Sequence, residues 1–403
     1  MRVRIEPGRP AGTQEAPPSK SMAHRLMICA ALAEGQSVVR HVDVSEDMLA
    51  TADCLKALGA GVKREGRDVI IDGCRPENAE SATLPCRESG STLRFMIPLC
   101  LAGRAEMELE GSERLMSRPL DVYEEICRER GLLFKRGGCR LKVRGPLDAG
   151  EFTVPGDISS QFITGLMMAL PLKKADSRIR ILPPVESRPY LDMTQEAMAA
   201  FGVKTEWESE NVLRIPGNGA YRPREITVEG DWSNAAFFEA LDKTGGDVKL
   251  TGLRDDSLQG DRVCRDCLDR IRGGWAELDV ADCPDLAPVL MAAAALCHGA
   301  KLTGTRRLKI KESDRGAAMA EEMAKFGLRI ENRENEIVVP GTGIRPPEEI
   351  LQSHNDHRIA MALSVMCVKT GGTIDGAEAV RKSLPDYWER LRQLGIRAAE
   401  TDA

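Results

Sequence analysis

Aromatic side chains are scarce in this sequence: phenylalanine, tryptophan and tyrosine together make up 4% of its 403 residues. Few rings are therefore available to stack on the bases of a single-stranded nucleic acid. An excess of positive charge is also absent, because the formal net charge is -6 at pH 7. Wholesale binding to nucleic acid or to an anionic membrane is therefore disfavoured.

Long apolar runs and an export signal are missing as well. The longest apolar run, residues 286–297, is too short and too rich in alanine to cross a bilayer. Residues 1–6 lack the apolar core of a signal peptide. We therefore expect a soluble, cytoplasmic protein.

Paired cysteine motifs are nearly absent, although the chain contains twelve cysteines. Most of them are scattered through apolar helical patterns, so we expect buried residues or free thiols rather than disulfides. The one C-x-x-C pair, Cys264 and Cys267, has no second pair of ligands spaced for zinc. We predict neither a metal site nor another cofactor.

What the sequence does contain is one unit repeated six times, in a chain long enough for two or three domains. In each copy a polar residue opens an apolar helix, a strand follows, and a second helix usually ends in glycine before a β-rich run. The starts are about 70 residues apart, except that we expect the fifth copy to be shorter. The copies begin near Ser21, Glu88, Asp157, Asp231, Asp285 and Asn355.

The first copy indicates what the helix starts bind. Pro17 and Pro18 stiffen the approach, and serine is a preferred N-cap, so Lys20 and Ser21 should lie at the positive end of the helix. Arg25 follows one turn later, which completes an anion site. An ordinary capped helix with solvated cations is the alternative for this stretch alone. Because the design recurs six times, we predict two three-unit domains whose helix starts face a shared anionic cleft.

Cations recur near the predicted loops and helix starts, and together they could neutralise a phosphate and a carboxylate. Lys311 and Arg315 are four residues apart and should share a helix face, with Glu312 beside them. Asp285 should cap the helix that starts at Leu286. Two such carboxylates among cations suit general acid–base chemistry on an anionic substrate. The remaining cations are Lys20, Arg25, Arg94, Arg114, Arg118, Arg188, Arg358 and Lys382.

These motifs, in this order and over nearly the whole chain, resemble the 5-enolpyruvylshikimate-3-phosphate synthase family. The resemblance implies an α/β fold of two similar domains, each of three inverse βαβαββ-type units with buried parallel helices (an inside-out α/β barrel), and an active site in the interdomain cleft. We place the chain crossings near Pro17 and Glu229, so that residues 18–229 form one domain and residues 1–17 with 230–403 form the other. The motifs are Lys20-Ser21 with Arg25, Ser89-Gly90 with Arg94, Arg114 with Arg118-Pro119, Ser159-Ser160-Gln161, Lys311-Glu312 with Asp314-Arg315, Asn355-Asp356-His357-Arg358, and Lys382 with Pro385-Asp386-Tyr387.

The resemblance also implies the substrates and the residues that bind them. Shikimate 3-phosphate would be held by Ser21, Arg25, Ser159, Ser160, Gln161, Ser187, Asp285 and Lys311. Phosphoenolpyruvate would be held by Lys20, Gly90, Arg118, Gln161, Arg315, Arg358 and Lys382. Tyr190 would stack on the shikimate ring, and the herbicide glyphosate would occupy the phosphoenolpyruvate pocket. Two departures from one subgroup stand out, namely Arg307 in place of a ligand-contacting asparagine and Glu88-Ser89 in place of Asn-Ala.

The chemistry implied is an addition followed by an elimination, a step in the biosynthesis of aromatic amino acids. Asp285 would accept the proton of the 5-hydroxyl, Glu312 would protonate C3 of phosphoenolpyruvate, and Lys20 would stabilise the developing charge. Lys311 and Arg315 should lower the pKa of Glu312. We expect the bound anions to neutralise those cations, so that Glu312 becomes a competent acid only when both substrates are bound.

Three alternatives remain open. Enolpyruvyl transfer to UDP-N-acetylglucosamine typically uses a cysteine in a mobile loop, and residues 114–118 contain none. A repeat-built protein that binds RNA or phosphate would need aromatic residues among basic stripes. A catalytically silent homologue would not need Lys20, Asp285 and Glu312 together. We expect a monomer.

Overall fold

The computed structural model describes residues 1–341 and 343–401. The chain forms two compact units. Residues Pro18–Glu229 form the continuous unit, and residues Met1–Pro17 with Gly230–Ala403 form the split unit. The split unit contributes the first two strands of the chain, β1 (Arg2–Ile5) and β2 (Ala11–Glu15).

The continuous unit contains, in its described residues, three four-stranded sheets, with strand orders β14-β3-β5-β4, β6-β7-β9-β8 and β10-β11-β13-β12. In each sheet the first two strands are parallel and the other pairings are antiparallel. This pattern is that of the predicted βαβαββ unit. The elements are α1 (Lys20–Ala31), β3 (Gln36–Arg40), α2 (Glu46–Ala57), β4 (Gly61–Glu65), β5 (Asp68–Asp72), β6 (Thr83–Arg87), α3 (Gly90–Cys100), β7 (Met107–Gly111), α4 (Glu113–Met116), α5 (Asp121–Glu129), β8 (Leu133–Gly137), β9 (Arg140–Arg144), β10 (Glu151–Pro155), α6 (Ser160–Ala169), β11 (Ser177–Leu182), α7 (Arg188–Ala200), β12 (Glu206–Ser209), β13 (Val212–Ile215) and β14 (Glu225–Thr227).

The split unit repeats the pattern with one abbreviated copy. Its sheets have strand orders β2-β15, β16-β17-β19-β18 and β20-β21-β1-β22, and each contains one parallel pair. The elements are α8 (Trp232–Lys243), β15 (Asp247–Thr251), α9 (Cys264–Gly273), β16 (Ala276–Asp279), α10 (Ala287–Leu296), β17 (Gly299–Thr303), α11 (Arg315–Lys325), β18 (Glu331–Asn332), β19 (Glu336–Pro340), β20 (Leu351–Gln352), α12 (His357–Thr370), β21 (Gly372–Asp375), α13 (Tyr387–Gln393) and β22 (Ala398–Thr401).

The prediction that the fifth copy is the short one was wrong. The fifth copy has a full four-stranded sheet, whereas the fourth has only the parallel pair of β2 and β15. After α9, Gly273 and Gly274 end the helix and the chain passes directly into β16, which pairs with β17 of the next copy. The fourth copy therefore lacks the terminal hairpin, and this shortens the interval before the fifth helix start.

The first helix of each copy is the core of its unit. In α1, α3 and α6 of the continuous unit, and in α8, α10 and α12 of the split unit, nearly every residue is buried. The strands pack one face against these helices. In β10, for example, Phe152 and Val154 are buried while Glu151 and Thr153 are exposed, as the alternation of a half-buried strand requires.

Five of these six helices begin with the predicted side-chain cap. The capping side chains are Ser19, Ser89, Ser159, Asp231 and Asp356, each of which accepts a hydrogen bond from a backbone N–H of the first turn. The prediction for the sixth was wrong. Asp285 lies inside a 3-10 helix, Pro284–Leu286, and the following α10 has no side-chain cap. The carboxylate of Asp285 is therefore available for other partners.

All twelve cysteines lie in the described part of the chain, and each is a free thiol. Cys264 and Cys267 are both buried on α9. Among the described helices, none combines the length and the apolar character needed to cross a membrane.

Candidate active site

In the continuous unit, the start of α1 places a lysine against an acid. Ser19 Oγ accepts from the Met22 N–H at 3.3 Å, which sets the helix start. Lys20 Nζ then donates to Asp47 Oδ2 at 2.8 Å, and both side chains are largely buried. Asp47 lies in the first turn of α2, and the sequence analysis missed it because no sequence pattern pairs the starts of two helices.

Arg25 is fixed one turn further along α1. Its side chain is buried, and it donates to the Thr194 hydroxyl at 2.8 Å and to the carbonyl oxygens of Ser21 and Tyr190 at 2.7 and 3.1 Å. The guanidinium also lies over the Phe95 and Tyr190 rings. Burial lowers the pKa of Arg25 to about 10, so the side chain keeps its charge at neutral pH. The structure thus provides a rigid cation beside Ser21.

A buried histidine of α1 that the sequence did not predict, His24, is linked by hydrogen bonds to α2 and α3. His24 Nδ1 is 2.7 Å from Thr51 Oγ1, which is 2.7 Å from Thr92 Oγ1, and Thr92 donates to Ser89 Oγ at 2.8 Å. Burial, with the charges of Lys20 and Arg25, lowers the pKa of His24 well below its ordinary value. The neutral ring therefore joins α1, α2 and α3 just behind their N-termini.

The starts of α3 and α6 are joined by Gln161. Its Oε1 accepts from Arg94 Nη1 at 2.7 Å, and its Nε2 donates to Ser91 Oγ at 2.9 Å. Ser160, next to it, is buried in the first turn of α6. Ser187, before α7, is buried with a positive φ of 59°. The contacts of Gln161 thus bring the polar residues at the starts of α3 and α6 together.

Gly90 lies directly against Arg118. A Cβ atom at position 90 would lie 2.5 Å from Arg118 Nη1 and 2.9 Å from its Cζ. Arg118 is 7% exposed, and its guanidinium would have to shift to make room for a side chain at position 90. Arg114, by contrast, lies on the exposed side of α4. The two arginines of this motif therefore differ in environment.

Arg188 is the first residue of α7, as the sequence predicted, and it also contacts β12 and the turn that follows. Its guanidinium lies 3.6 Å from the centre of the Trp207 ring and donates to the Glu210 carbonyl at 2.9 Å. This packing ties the start of α7 to β12 and its turn.

In the split unit, Arg315 connects three carboxylates. Its Nε donates to Asp356 Oδ2 at 2.9 Å, its Nη1 to Asp285 Oδ1 at 2.6 Å, and its Nη2 to Glu312 Oε2 at 2.7 Å. Arg315 is 1% exposed and Asp356 is fully buried. The acidic neighbours raise the pKa of Arg315 although burial opposes them. Arg315 therefore stays charged and holds Asp285 and Glu312 side by side.

Asp285 lies among cations instead of capping α10. Its Oδ1 is 3.3 Å from Lys311 Nζ, and its Oδ2 is 3.6 Å from Arg358 Nη2. Burial on its own would raise the pKa of Asp285, but the charges of Lys311, Arg358 and Arg315 outweigh it and hold that pKa well below its usual range. The carboxylate is therefore ionised at neutral pH.

The prediction that Lys311 and Arg315 share a helix face was also wrong. Lys311 ends a 3-10 helix, Arg306–Ile310, and α11 begins only at Arg315, with Asp314 as its cap. The two cations meet at Asp285 because the intervening loop turns them toward it. Arg307 belongs to the same 3-10 helix and donates to the Ala281 carbonyl oxygen.

Two further charged residues of this unit are Lys382 and Asp261. Lys382 Nζ donates to the Asn355 carbonyl at 2.6 Å. Asp261, which the sequence analysis missed, is buried, and burial together with the nearby charge of Asp285 raises its pKa to about 6. Asp261 precedes α9 in a stretch without any motif, so only the fold reveals its proximity to Asp285.

One group of potential metal ligands occurs in the described residues. Glu321, Glu322 and His354 have ligand atoms within 4.8 Å of one another. The two oxygens of Glu322 already accept from Lys325 Nζ at 3.0 and 2.9 Å. The ammonium group of Lys325 thus neutralises the Glu322 carboxylate.

Solved structures of other proteins have the same fold. An EPSP synthase from Acinetobacter baumannii is similar with a TM-score of 0.79 and 22% identity, covering all of both chains. The enolpyruvyl transferase NikO from Streptomyces tendae is similar with a TM-score of 0.80 and 15% identity, covering 100% of this chain and 99% of the other. At such identities the likeness establishes the two-domain α/β fold and not the acceptor substrate.

Sequence comparison is more specific. Proteins named 3-phosphoshikimate 1-carboxyvinyltransferase from Clostridium kluyveri and Clostridium beijerinckii are 37% and 39% identical to this chain, each over 98% of the chain and 97% of the relative. The model of the family described as EPSP synthase (3-phosphoshikimate 1-carboxyvinyltransferase) matches residues 6–391. On this match across nearly its whole length, the chain belongs to the EPSP synthase family.

Proposed function

We propose that the protein transfers the enolpyruvyl group of phosphoenolpyruvate to the 5-hydroxyl of shikimate 3-phosphate and releases phosphate, in the biosynthesis of aromatic amino acids. The oxygen bonds to C2 of phosphoenolpyruvate while C3 gains a proton, which gives a tetrahedral intermediate. Loss of one proton from C3 and of phosphate from C2 then restores the double bond. The observation that carries this proposal is the cluster of charged residues around Arg315. In it, the carboxylates of Asp285 and Glu312 lie among three cations, Arg315, Lys311 and Arg358.

The substrates divide between two sets of residues. Shikimate 3-phosphate binds the rigid cation Arg25, the helix starts at Ser21, Ser159, Ser160, Gln161 and Ser187, and Asp285 with Lys311. Phosphoenolpyruvate binds Lys20, Gly90, Arg118, Gln161, Arg315, Arg358 and Lys382. Both sets include residues from the continuous and the split unit. The proposal further assigns the protein to the cytoplasm as a monomer.

Asp285, Glu312 and Lys20 carry out the proton chemistry in this proposal. In the free protein Asp285 is a weak base, because the neighbouring cations hold its pKa well below its usual range. Two bound anions would share those cations and make Asp285 more basic and Glu312 more readily protonated. Lys20, paired with Asp47, would stabilise the charge that develops during the reaction.

The acceptor decides between this proposal and transfer to a nucleotide sugar. Within the described residues, the stretch 112–118 contains no cysteine, and burial raises the pKa of Cys127, which lies beyond it, to about 12. A thiol with so high a pKa is a poor acid or nucleophile at neutral pH. Phosphate release should therefore require phosphoenolpyruvate and shikimate 3-phosphate together. Release with UDP-N-acetylglucosamine in place of shikimate 3-phosphate, or with neither acceptor, would contradict the proposal.

A further inference from the structure

The segment that precedes α12 has an unusual backbone. His354 and Asn355 are consecutive residues with positive φ angles, 51° and 53°. Residues other than glycine adopt this conformation at an energetic cost, and it persists where the surrounding structure holds it in place. The next residue is Asp356, which caps α12 and binds Arg315.

This segment also presents two groups to the cations assigned to phosphoenolpyruvate. The Asn355 carbonyl accepts from Lys382 Nζ at 2.6 Å. The Asp356 carboxylate accepts from Arg315 Nε at 2.9 Å and from the Arg358 backbone N–H at 2.9 Å. A shift of the segment would therefore move three cations together.

A fully buried carboxylate on the neighbouring helix holds the segment. Glu322, on α11, accepts from the Gln352 N–H at 2.8 Å through Oε2, and its Oε1 lies 3.0 Å from His354 Nε2. Lys325, one turn along α11, neutralises the carboxylate and also donates to the Ile350 carbonyl at 3.1 Å. Contacts at residues 350, 352 and 354 thus fix both the strand β20 and the first of the two left-handed residues.

We propose that Glu322 is a positioning residue for phosphoenolpyruvate. It touches no substrate. It ties the segment 352–356 to the helix that begins with Arg315, so that Lys382, Arg358 and Arg315 keep a common geometry. This inference rests on the proposed function, because phosphoenolpyruvate is assigned to those cations there. Shikimate 3-phosphate is held mainly by residues of the continuous unit in that proposal, so its binding should depend much less on Glu322.

Steady-state kinetics on Glu322→Ala and on a matched control test the proposal. Glu321→Ala is the control, because Glu321 is the adjacent residue of the same helix and is exposed. For Glu322→Ala we expect the KM for phosphoenolpyruvate to rise about tenfold and the KM for shikimate 3-phosphate by less than about threefold. The control should leave both constants unchanged. Equal rises in both constants, or no rise in the constant for phosphoenolpyruvate, would overturn the proposal.

Glu322→Gln keeps the test decisive if the alanine variant does not fold. Its amide oxygen can still accept from the Gln352 N–H, while the charge that pairs with Lys325 is lost. We expect a rise in the KM for phosphoenolpyruvate of at least about threefold, smaller than that of the alanine variant, with the wild-type KM for shikimate 3-phosphate. Wild-type constants for both substrates would reject a positioning role. A wild-type protein that does not turn over these substrates would reject the proposed function as well, so the two failures can be told apart.

Discussion

At the scale of single residues, Arg315 joins three carboxylates of the split unit. Its three carboxylate partners differ in burial, since Asp356 is fully buried while Asp285 and Glu312 are 20% and 24% exposed. Asp356 therefore fixes the guanidinium, and the two more accessible acids are those to which we assign the proton transfers. A charged side chain held by its own buried partner is pre-organised for this task.

Glu312→Gln and Asp285→Asn should remove turnover without removing binding. Both changes keep the side-chain shape, and Arg315 keeps its contact with Asp356. We expect turnover to fall by roughly 10²-fold or more, which is the usual scale for a lost general acid or base, while each KM stays within about tenfold. Glu321→Gln, a change to an exposed acid on α11, is the control in the same assay. A variant at position 285 or 312 that keeps most of its turnover would show that its role is misassigned.

Gly90→Ala should discriminate between substrate and inhibitor in the phosphoenolpyruvate pocket. The new methyl group would lie 2.5 Å from Arg118 Nη1, so the guanidinium must move. We expect the KM for phosphoenolpyruvate to rise for this reason, and the inhibition constant for the longer glyphosate molecule to rise by a larger factor. Parallel measurement of both constants in wild type and variant checks the ratio. An equal rise in the two would mean that position 90 acts only through Arg118 and not as a size filter.

At the scale of elements, the buried network from His24 to Ser89 ties three helix starts together. His24 has a lowered pKa in the folded protein, so between that pKa and about 6.5 the unfolded chain binds a proton that the folded chain does not. Stability from the neutral ring is therefore complete above about pH 6.5 and is lost as the pH falls. The ring stays neutral in the folded protein over this range, so the free energy of unfolding falls while the network stays intact.

His24→Gln should flatten this pH dependence. The amide can replace the hydrogen bond to Thr51 but cannot take up a proton in the unfolded chain. We expect the difference in unfolding free energy between wild type and variant to change below about pH 6.5 by as much as about 1.4 kcal/mol per pH unit, the slope for one proton. Urea denaturation at several pH values measures it. A difference that stays constant from pH 7 to pH 5 would mean that His24 is not the titrating group.

The helix starts also show which features can be predicted from the sequence. Five helix starts were predicted because a small polar residue before an apolar run has one local explanation, the N-cap. Asp285 fits the same description, but the prediction for it was wrong. Pro284 starts a 3-10 helix in which Asp285 is the second residue, so its carboxylate does not cap α10. The prediction that Lys311 and Arg315 share a helix face rested on their spacing of four residues. It was wrong because a loop with a new cap at Asp314 separates the 3-10 helix from α11.

Contacts between distant elements lay beyond sequence reasoning altogether. Asp47 meets Lys20 across two helices, and the charge of Asp285 acts on Asp261, which lies in a 3-10 helix (Gly260–Val263) before α9. Neither residue belongs to a motif, and a pairing between non-consecutive elements leaves no periodicity in the chain. The cations and acids were found from their types and order, whereas their partners required the fold.

At the scale of the whole molecule, the central claim is that both units contribute to one addition–elimination reaction. Lys20 and Arg25 belong to the continuous unit, and Asp285 and Glu312 to the split unit. Neither unit alone carries both the assigned acid–base pair and the helix starts to which we assign shikimate 3-phosphate. A substitution in either unit should therefore stop the same chemical step.

The most direct measurement follows hydrogen at C3 by NMR during the reaction in D2O. Addition makes C3 a methyl group with one solvent-derived deuterium, and elimination removes one of three hydrogens, so we expect deuterium in the methylene group of the product. Wild-type protein with shikimate 3-phosphate and phosphoenolpyruvate should give this product with one phosphate per turnover, and both Lys20→Met and Glu312→Gln should suppress it. A product without deuterium, or full incorporation by either variant, would contradict the account.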